Sequence, residues 1–180
     1  MGATTTMVTV REFLQLPEPE GQRMELIGGE LVCLGRGGYA HEWVKSNLIE
    51  ILGVWLMGHR SLKLLSESAF QIDELNSPIP DISLVLREGA RPGAPGLIHG
   101  APELAIEVVS SETAGHLESK IALYLGHGTK SVWAVFPEQR HVRIFDVNGG
   151  STRFGQDQTL EDSSVLPGFS TPVSAIFEGI

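Results

Sequence analysis

A chain of 180 residues with 42% hydrophobic and 19% charged residues has globular composition, which excludes disordered and fibrous classes. Its longest apolar runs, such as Leu104 to Val109, are far too short to cross a bilayer, so no membrane partner is expected. With 22 acidic residues against 13 basic ones the net charge is −9, and no Lys/Arg-rich segment appears, which argues against tight non-specific coating of phosphates.

One domain over residues 1–180 is expected. Met1 to Val10 lacks a basic region followed by an apolar stretch, so no secretory signal is expected. The lone Cys33 fits a reducing compartment, and the expected location is cytoplasmic.

In chain order, Thr9 with Glu12 three residues later is a helix-start signature, and Pro17 and Pro19 stop that helix quickly. Two short apolar runs, Met24–Ile27 and Glu30–Leu34, flank Gly28-Gly29 and predict an N-terminal β-hairpin. The loop Gly35-Arg36-Gly37-Gly38 reads as a hairpin exit rather than a phosphate cradle. From His41 to Met57, Trp43 or Val44, Leu48, Ile51 or Leu52, and Trp55 recur at helical spacing, and Gly58 closes the helix. Leu64 to Ile72 and Asp81 to Leu86 read as strands, the second entered through Pro78 and Pro80, followed by a Gly/Pro-rich loop from Glu88 to Pro102.

Leu104–Val109 reads as a buried strand, apolar on both faces except at Glu107. Ser110, Ser111 and Thr113 offer caps for a helix running to about Leu125, ended by Gly126 and Gly128. Ser131–Phe136 and Val142–Val147 are further strands, and the tail from Gly149 is polar until Val165. The order predicts an α/β (α+β) fold, one mixed β-sheet flanked by helices. Trp43, Trp55 and Trp133 lie in regular elements and are expected in the core.

Glu107 is the most informative residue, because burying an ionised carboxylate in an apolar strand costs several kcal/mol, roughly, without compensation. A salt bridge to an arginine or a capped strand end would supply that compensation, and so would a cation. Asp81 alone reads as a turn or capping residue. If the two strands pair, however, Asp81 and Glu107 converge, and two close carboxylates call for a hard cation such as Mg2+ or Mn2+. Lys120 flanks the apolar stripe of Leu117, Ile121, Tyr124 and Leu125. Its stem could deliver an ammonium to the carboxylates, although helix geometry alone favours a lysine that snorkels to solvent or pairs with Glu118 or Glu112.

The ordered series of segments resembles the Uma2 family of restriction-endonuclease-like proteins, also called DUF820. It comprises Thr9–Leu14, Met24–Leu31, His41, Pro80-Asp81-Ile82, Gly100–Ser110, Lys120–Tyr124, Val132–Val135, Val142–Phe145 and Leu166–Phe169. The resemblance implies a PD-(D/E)XK restriction-endonuclease-like core, with magnesium bound at positions matching Asp81 and Glu107. It also implies a DNA partner and a metal-dependent endonuclease activity. Val109 stands where the motif E-x-K has lysine, and the resemblance places the catalytic lysine at Lys120 on the following helix. Relatives often carry an Asp in the loop before that helix, where Glu112 is a substitute; Glu25 or Glu30 and His41 also match recurring positions, with Glu25 a further catalytic acid.

Other chemistry is absent from the sequence. His59, His99, His116, His127 and His141 show no paired zinc spacing, and neither a P-loop nor a serine nucleophile elbow is present. The rival reading is a catalytically silent nuclease-fold module serving oligomerisation or regulation, motivated by the acidic charge and Val109. A phosphodiesterase acting on RNA or a small phosphodiester is a third. A homodimer is expected by analogy, because symmetric dimers are common.

Overall fold

The computed structural model of the chain describes residues 7–17, 22–35, 37–110 and 113–180. Readings that fell on Met1 to Thr6, Pro19, Arg36, Ser111 and Glu112 lie outside the described residues.

The first helix, α1 (Val10–Phe13), is a single turn held by a reciprocal cap. Thr9 accepts from the Glu12 amide, and the Thr9 amide donates to the Glu12 carboxylate at 2.9 Å. Strands β1 (Arg23–Ile27) and β2 (Glu30–Leu34) pair antiparallel around Gly28 and Gly29. Both turn glycines have positive φ, 59° and 77°, the geometry that a two-residue hairpin with the strand twist requires. A bridge between Leu26 and Ser77 ties this hairpin to the segment that precedes Asp81.

Helix α2 (Tyr39–Leu56) buries His41, Val44, Lys45, Leu48 and Leu52, one face at spacings of three and four. The region read as one strand, Leu64 to Ile72, is two: β3 (Leu62–Ser66) and β4 (Phe70–Gln71), in different sheets. The chain bends between them at Glu67, a non-glycine residue with φ 50°. The polar run Ser66-Glu67-Ser68 interrupts the alternation at this break, which the reading of one continuous strand passes over. After β5 (Ile82–Leu86), the predicted loop contains two short strands, β6 (Arg91–Pro92) and β7 (Ile98–His99), which join β4 in a small sheet.

The chain continues through β8 (Leu104–Val108), α3 (Ala114–Gly126), β9 (Ser131–Phe136) and β10 (His141–Asp146). The polar tail is also more regular than its composition suggests. It forms β11 (Ser151–Gly155), β12 (Thr159–Leu160), β13 (Thr171–Pro172) and α4 (Val173–Ile176). The main sheet runs β11-β10-β9-β8-β5-β3; β8 and β9 are parallel, joined through α3, and the other neighbours are antiparallel. This is the mixed sheet flanked by helices that the sequence predicted.

Two apolar clusters sandwich the sheet. Ile82, Leu84, Leu104, Ile106, Val108 and Trp133 pack with α2 and α4. Val85, Ala105, Val132 and Ala134 pack with Leu117, Ile121 and Tyr124 of α3. Trp133 is buried as expected, but Trp43 is 44% exposed, its indole N–H donating to the Glu178 carbonyl at 2.9 Å. The helical period allowed either Trp43 or Val44 to face inward, and Val44 does.

Candidate active site

Strand parity decides which side chains meet. In β8, Leu104, Ile106 and Val108 face α2, so Ala105 and Glu107 face α3. In the antiparallel β5–β8 pair, Ile82 stands opposite Ile106, which brings Asp81, just ahead of β5, level with Glu107. The Asp81 Oδ2 accepts from the Val108 amide at 2.8 Å, fixing that carboxylate on the edge of β8. Asp81 and Glu107 line one cavity of about 270 Å³, together with Arg23, His41, His116 and Lys120.

Lys120 enters this cavity from α3 and is buried, with 2% exposure. Its Nζ donates to Glu107 Oε2 at 2.7 Å and to Glu25 Oε1 at 2.9 Å. The solvent-facing alternative for Lys120 is therefore replaced by a buried bridge between β8 and the hairpin. Glu25 is fully buried on β1, where its Oε1 also accepts from the Ile79 amide at 2.5 Å. Glu30 is exposed on β2 and is absent from the cavity lining, so of the two hairpin acids only Glu25 reaches the site.

Three residues join the site without having been assigned to it. Tyr124 donates its hydroxyl to Glu107 Oε1 at 3.0 Å. His116 Nε2 lies 3.4 Å from Glu25 Oε2, and both atoms are buried without a geometrically sound hydrogen bond among the described residues. Arg23, at the open end of the hairpin, lines the cavity and pairs with Glu67 at 3.1 Å. His116, Lys120 and Tyr124 are spaced four apart, one stripe down α3. That spacing was in the sequence; Tyr124 was read only as apolar and His116 only as an unpaired histidine.

His41 belongs to the site as well. Its Nε2 lies 3.2 Å from Asp81 Oδ1, and its Nδ1 lies 3.1 Å from Glu42 Oε1. A Cβ at Gly37 would overlap the His41 ring, so the loop can cross there only as glycine. Lys45, one turn further, pairs with Glu42 at 2.7 Å and with Glu67 at 2.5 Å, completing a chain of charges from Arg23 to Asp81.

The electrostatics follow from one ammonium serving several carboxylates. Burial pushes the Glu107 carboxyl well above the ordinary range; Lys120 opposes this, while the charges of Asp81 and Glu25 add to it. Burial also works against ionised Glu25, but Lys120, His116 and the Ile79 amide hold it below its ordinary value. For Asp81, burial is outweighed by His41, the Val108 amide and Lys120, and the net shift is downward. The Lys120 ammonium is desolvated, yet Glu107 and Glu25 push its pKa up. When all three carboxylates are ionised the surplus is negative: Glu25, Asp81 and Glu107 stand against the Lys120 ammonium and His41, whose pKa, despite burial, is raised by Asp81 and Glu42.

That surplus fits a hard divalent cation. Asp81 and Glu107 supply oxygen donors on the cavity wall, and magnesium is commonly held by one or two carboxylates with water and substrate oxygens completing its shell. Among the described residues no group of three or more His, Cys, Asp and Glu side chains forms a ready-made metal cage. Such a cage would suit zinc or calcium more than magnesium.

The family model for Uma2, described as "Putative restriction endonuclease", matches residues 10–174. A crystal structure described as "a putative nuclease belonging to DUF820", from Anabaena variabilis, superposes with a TM-score of 0.82. Its identity is 22% over 94% of this chain and 97% of that chain, a likeness that establishes the shared fold. The structure of a DrdV–DNA complex matches at a TM-score of 0.36, with 15% identity over 78% of this chain and 14% of that chain, too weak to bear on the fold. No curated protein sequence matches.

Proposed function

Because this chain belongs to the Uma2 family, we propose that it is a magnesium- or manganese-dependent endonuclease that hydrolyses DNA phosphodiester bonds. The observation that carries the proposal is the buried Lys120 ammonium held between Glu107 and Glu25, on the wall that Asp81 shares. In this reading Asp81 and Glu107 hold the cation. When bound, it supplies Lewis-acid activation of the phosphate and offsets the negative surplus.

The protein's own groups do the rest. Water attacks phosphorus and forms a new P–O bond, while the P–O bond to the leaving sugar oxygen breaks and that oxygen takes a proton. The negative charge that builds on the phosphoryl oxygens meets the Lys120 ammonium, already desolvated and fixed by two carboxylates. Because those partners raise its pKa, Lys120 acts as a fixed cation rather than as a proton acceptor. Glu25 is a positioning residue, pinned by the Ile79 amide so that it aims Lys120 at Glu107. His41 orients Asp81.

One domain, a homodimer and a cytoplasmic setting accompany this reading; among the described residues, no helix is long and apolar enough to cross a membrane. The rival is a silent module serving oligomerisation or regulation, favoured by the net charge of −9. Incubating the full chain with supercoiled and linear DNA in magnesium or manganese separates the two. Nicking lost in Asp81→Asn and Glu107→Gln supports the nuclease; intact DNA with every metal and DNA form, and a melting temperature indifferent to metal, rejects it.

A further inference from the structure

The charge of this chain poses a problem for the proposed nuclease: how does an acidic protein hold a polyanion? The sheet register points to an answer. Glu107 stands opposite Ala134, Ala134 opposite Arg143, and Arg143 opposite Arg153. Residues paired in register share a face, so one row crosses the sheet from the catalytic carboxylate to two arginines. With strands about 4.8 Å apart, Arg143 lies roughly 10 Å and Arg153 roughly 14 Å along the row from Glu107. Ala134 is buried against α3, so the arginines emerge on the helix's far side from the cavity.

Both arginines are exposed, and among the described residues neither is within ion-pair distance of a carboxylate. Arg143 is held in place instead by neutral contacts. Its Nε and Nη2 donate to Ser151 Oγ at 3.2 and 2.8 Å, and its guanidinium lies 5.1 Å from the Phe145 ring centroid. Like charges directly opposite on paired strands are unfavourable, so the fold gains nothing from this pair. The local field is positive enough to reach His141, whose pKa is lowered by burial, by Arg153 and by Arg143, with the Gln139 backbone opposing. Of the acids close in sequence, Glu138 and Asp157 sit in the adjoining turns, and Asp146 accepts from the Asn148 and Gly150 amides.

We propose that Arg143 and Arg153 form a phosphate-binding pair that holds the DNA backbone to one side of the cleavage site. The row length of 10 to 14 Å corresponds to about three or four base-pair steps of 3.4 Å, so the pair engages flanking rather than scissile phosphates. This rests on the nuclease reading of the cavity for its choice of ligand.

The test is fluorescence anisotropy of a labelled DNA duplex titrated with the full chain, in EDTA and in calcium, over a salt series. Each lost phosphate contact lowers the slope of log K against log salt by about 0.9. The double variant Arg143→Gln/Arg153→Gln should therefore lose about 1.8 in slope, or as much as about 60-fold in affinity near 0.1 M salt. Its melting temperature should stay close to that of the parent, because relief of the Arg143–Arg153 repulsion offsets the lost Ser151 and Phe145 contacts. An unchanged slope and affinity in the variant overturns the pair, even if the parent cleaves DNA. A parent that binds no duplex in either buffer overturns it too. If the slope falls as stated while the parent cleaves nothing, the arginine surface stands and the nuclease reading of the cavity fails.

Discussion

Replacing Lys120 by methionine keeps the stem and removes the charge that three buried or nearly buried acids share. Glu25 is 0% and Glu107 3% exposed, so neither carboxylate can turn to water when the ammonium goes. Removing one partner of a buried ion pair costs about 3–5 kcal/mol, because the remaining charge is left uncompensated. In a chain of this size that is a loss of roughly 6–20 °C in melting temperature. The relief available is proton uptake by Glu107, whose pKa burial already pushes up. A carboxyl whose folded pKa is raised binds protons more tightly folded than unfolded, so stability falls as pH rises above the ordinary glutamate value of 4.5. The Lys120→Met deficit should therefore shrink as pH is lowered towards that value and deepen above it. Adding Glu107→Gln to Lys120→Met should recover part of the loss, with a coupling energy of about 0.5–3 kcal/mol from a double-mutant cycle by thermal denaturation. A methionine variant that melts with the parent at neutral pH, or strictly additive effects, would refute the account of Lys120 as the counter-charge of this cluster.

The proposed cation makes a separate prediction. Parent protein saturated to about 100 times its dissociation constant with magnesium or manganese gains about 2.7 kcal/mol, seen as a rise in melting temperature that Asp81→Asn abolishes. Asparagine keeps an oxygen for the Val108 amide, so the metal-free variant should fold; a full metal shift in Asp81→Asn would remove Asp81 from the ligand set. Tyr124→Phe leaves Glu107 Oε1 without its donor and should cost about 1–3 kcal/mol in denaturant unfolding; no change in midpoint would mean that the hydroxyl contributes nothing. Away from the site, Asp162 accepts from the buried Trp133 indole at 2.8 Å. Asp162→Ala should cost about 1–3 kcal/mol while leaving any DNA cleavage by the native fraction intact.

Glu107 and Asp81 were legible because each breaks a local rule: an acid inside an apolar strand, and an acid after Pro78-Ile79-Pro80 where a strand begins. Only the pairing of β5 with β8 was needed to bring them together, and neighbouring antiparallel strands are a common outcome. The partners that complete the cluster were less legible because the hairpin packs on the sheet through contacts of long sequence separation. Glu25 meets Lys120 across 95 positions, and the Ile79 amide across 54, which no periodicity encodes. Between Glu25 and Glu30 the sequence offered two acids on one hairpin, and only the Leu26–Ser77 bridge settles which strand lies inward. The small strands β4, β6 and β7 escaped for another reason: two-residue strands have no alternation to read.

In the proposed nuclease, the position of Lys120 accounts for Val109 at the place where E-x-K has lysine. In a strand, residues i and i+2 share a face, so a lysine at 109 would rise beside Glu107 on the α3 side. Here Val109 fills that place with an apolar side chain packed against the α3 cluster, and its amide extends the ladder to Val135 at 2.8 Å. The ammonium comes down onto Glu107 from the opposite wall, carried by the same helix whose Tyr124 holds the carboxylate's other oxygen. Both routes put a cation beside the second carboxylate, but the helical one also ties α3 to the hairpin through Glu25. Lys120 is thus coupled to the fold more tightly than a strand lysine would be. Moving it back, with Val109→Lys in a Lys120→Met background, should restore little stability even if the charge returns, because nothing then bridges β8 to β1; a return to the parent melting temperature would contradict this.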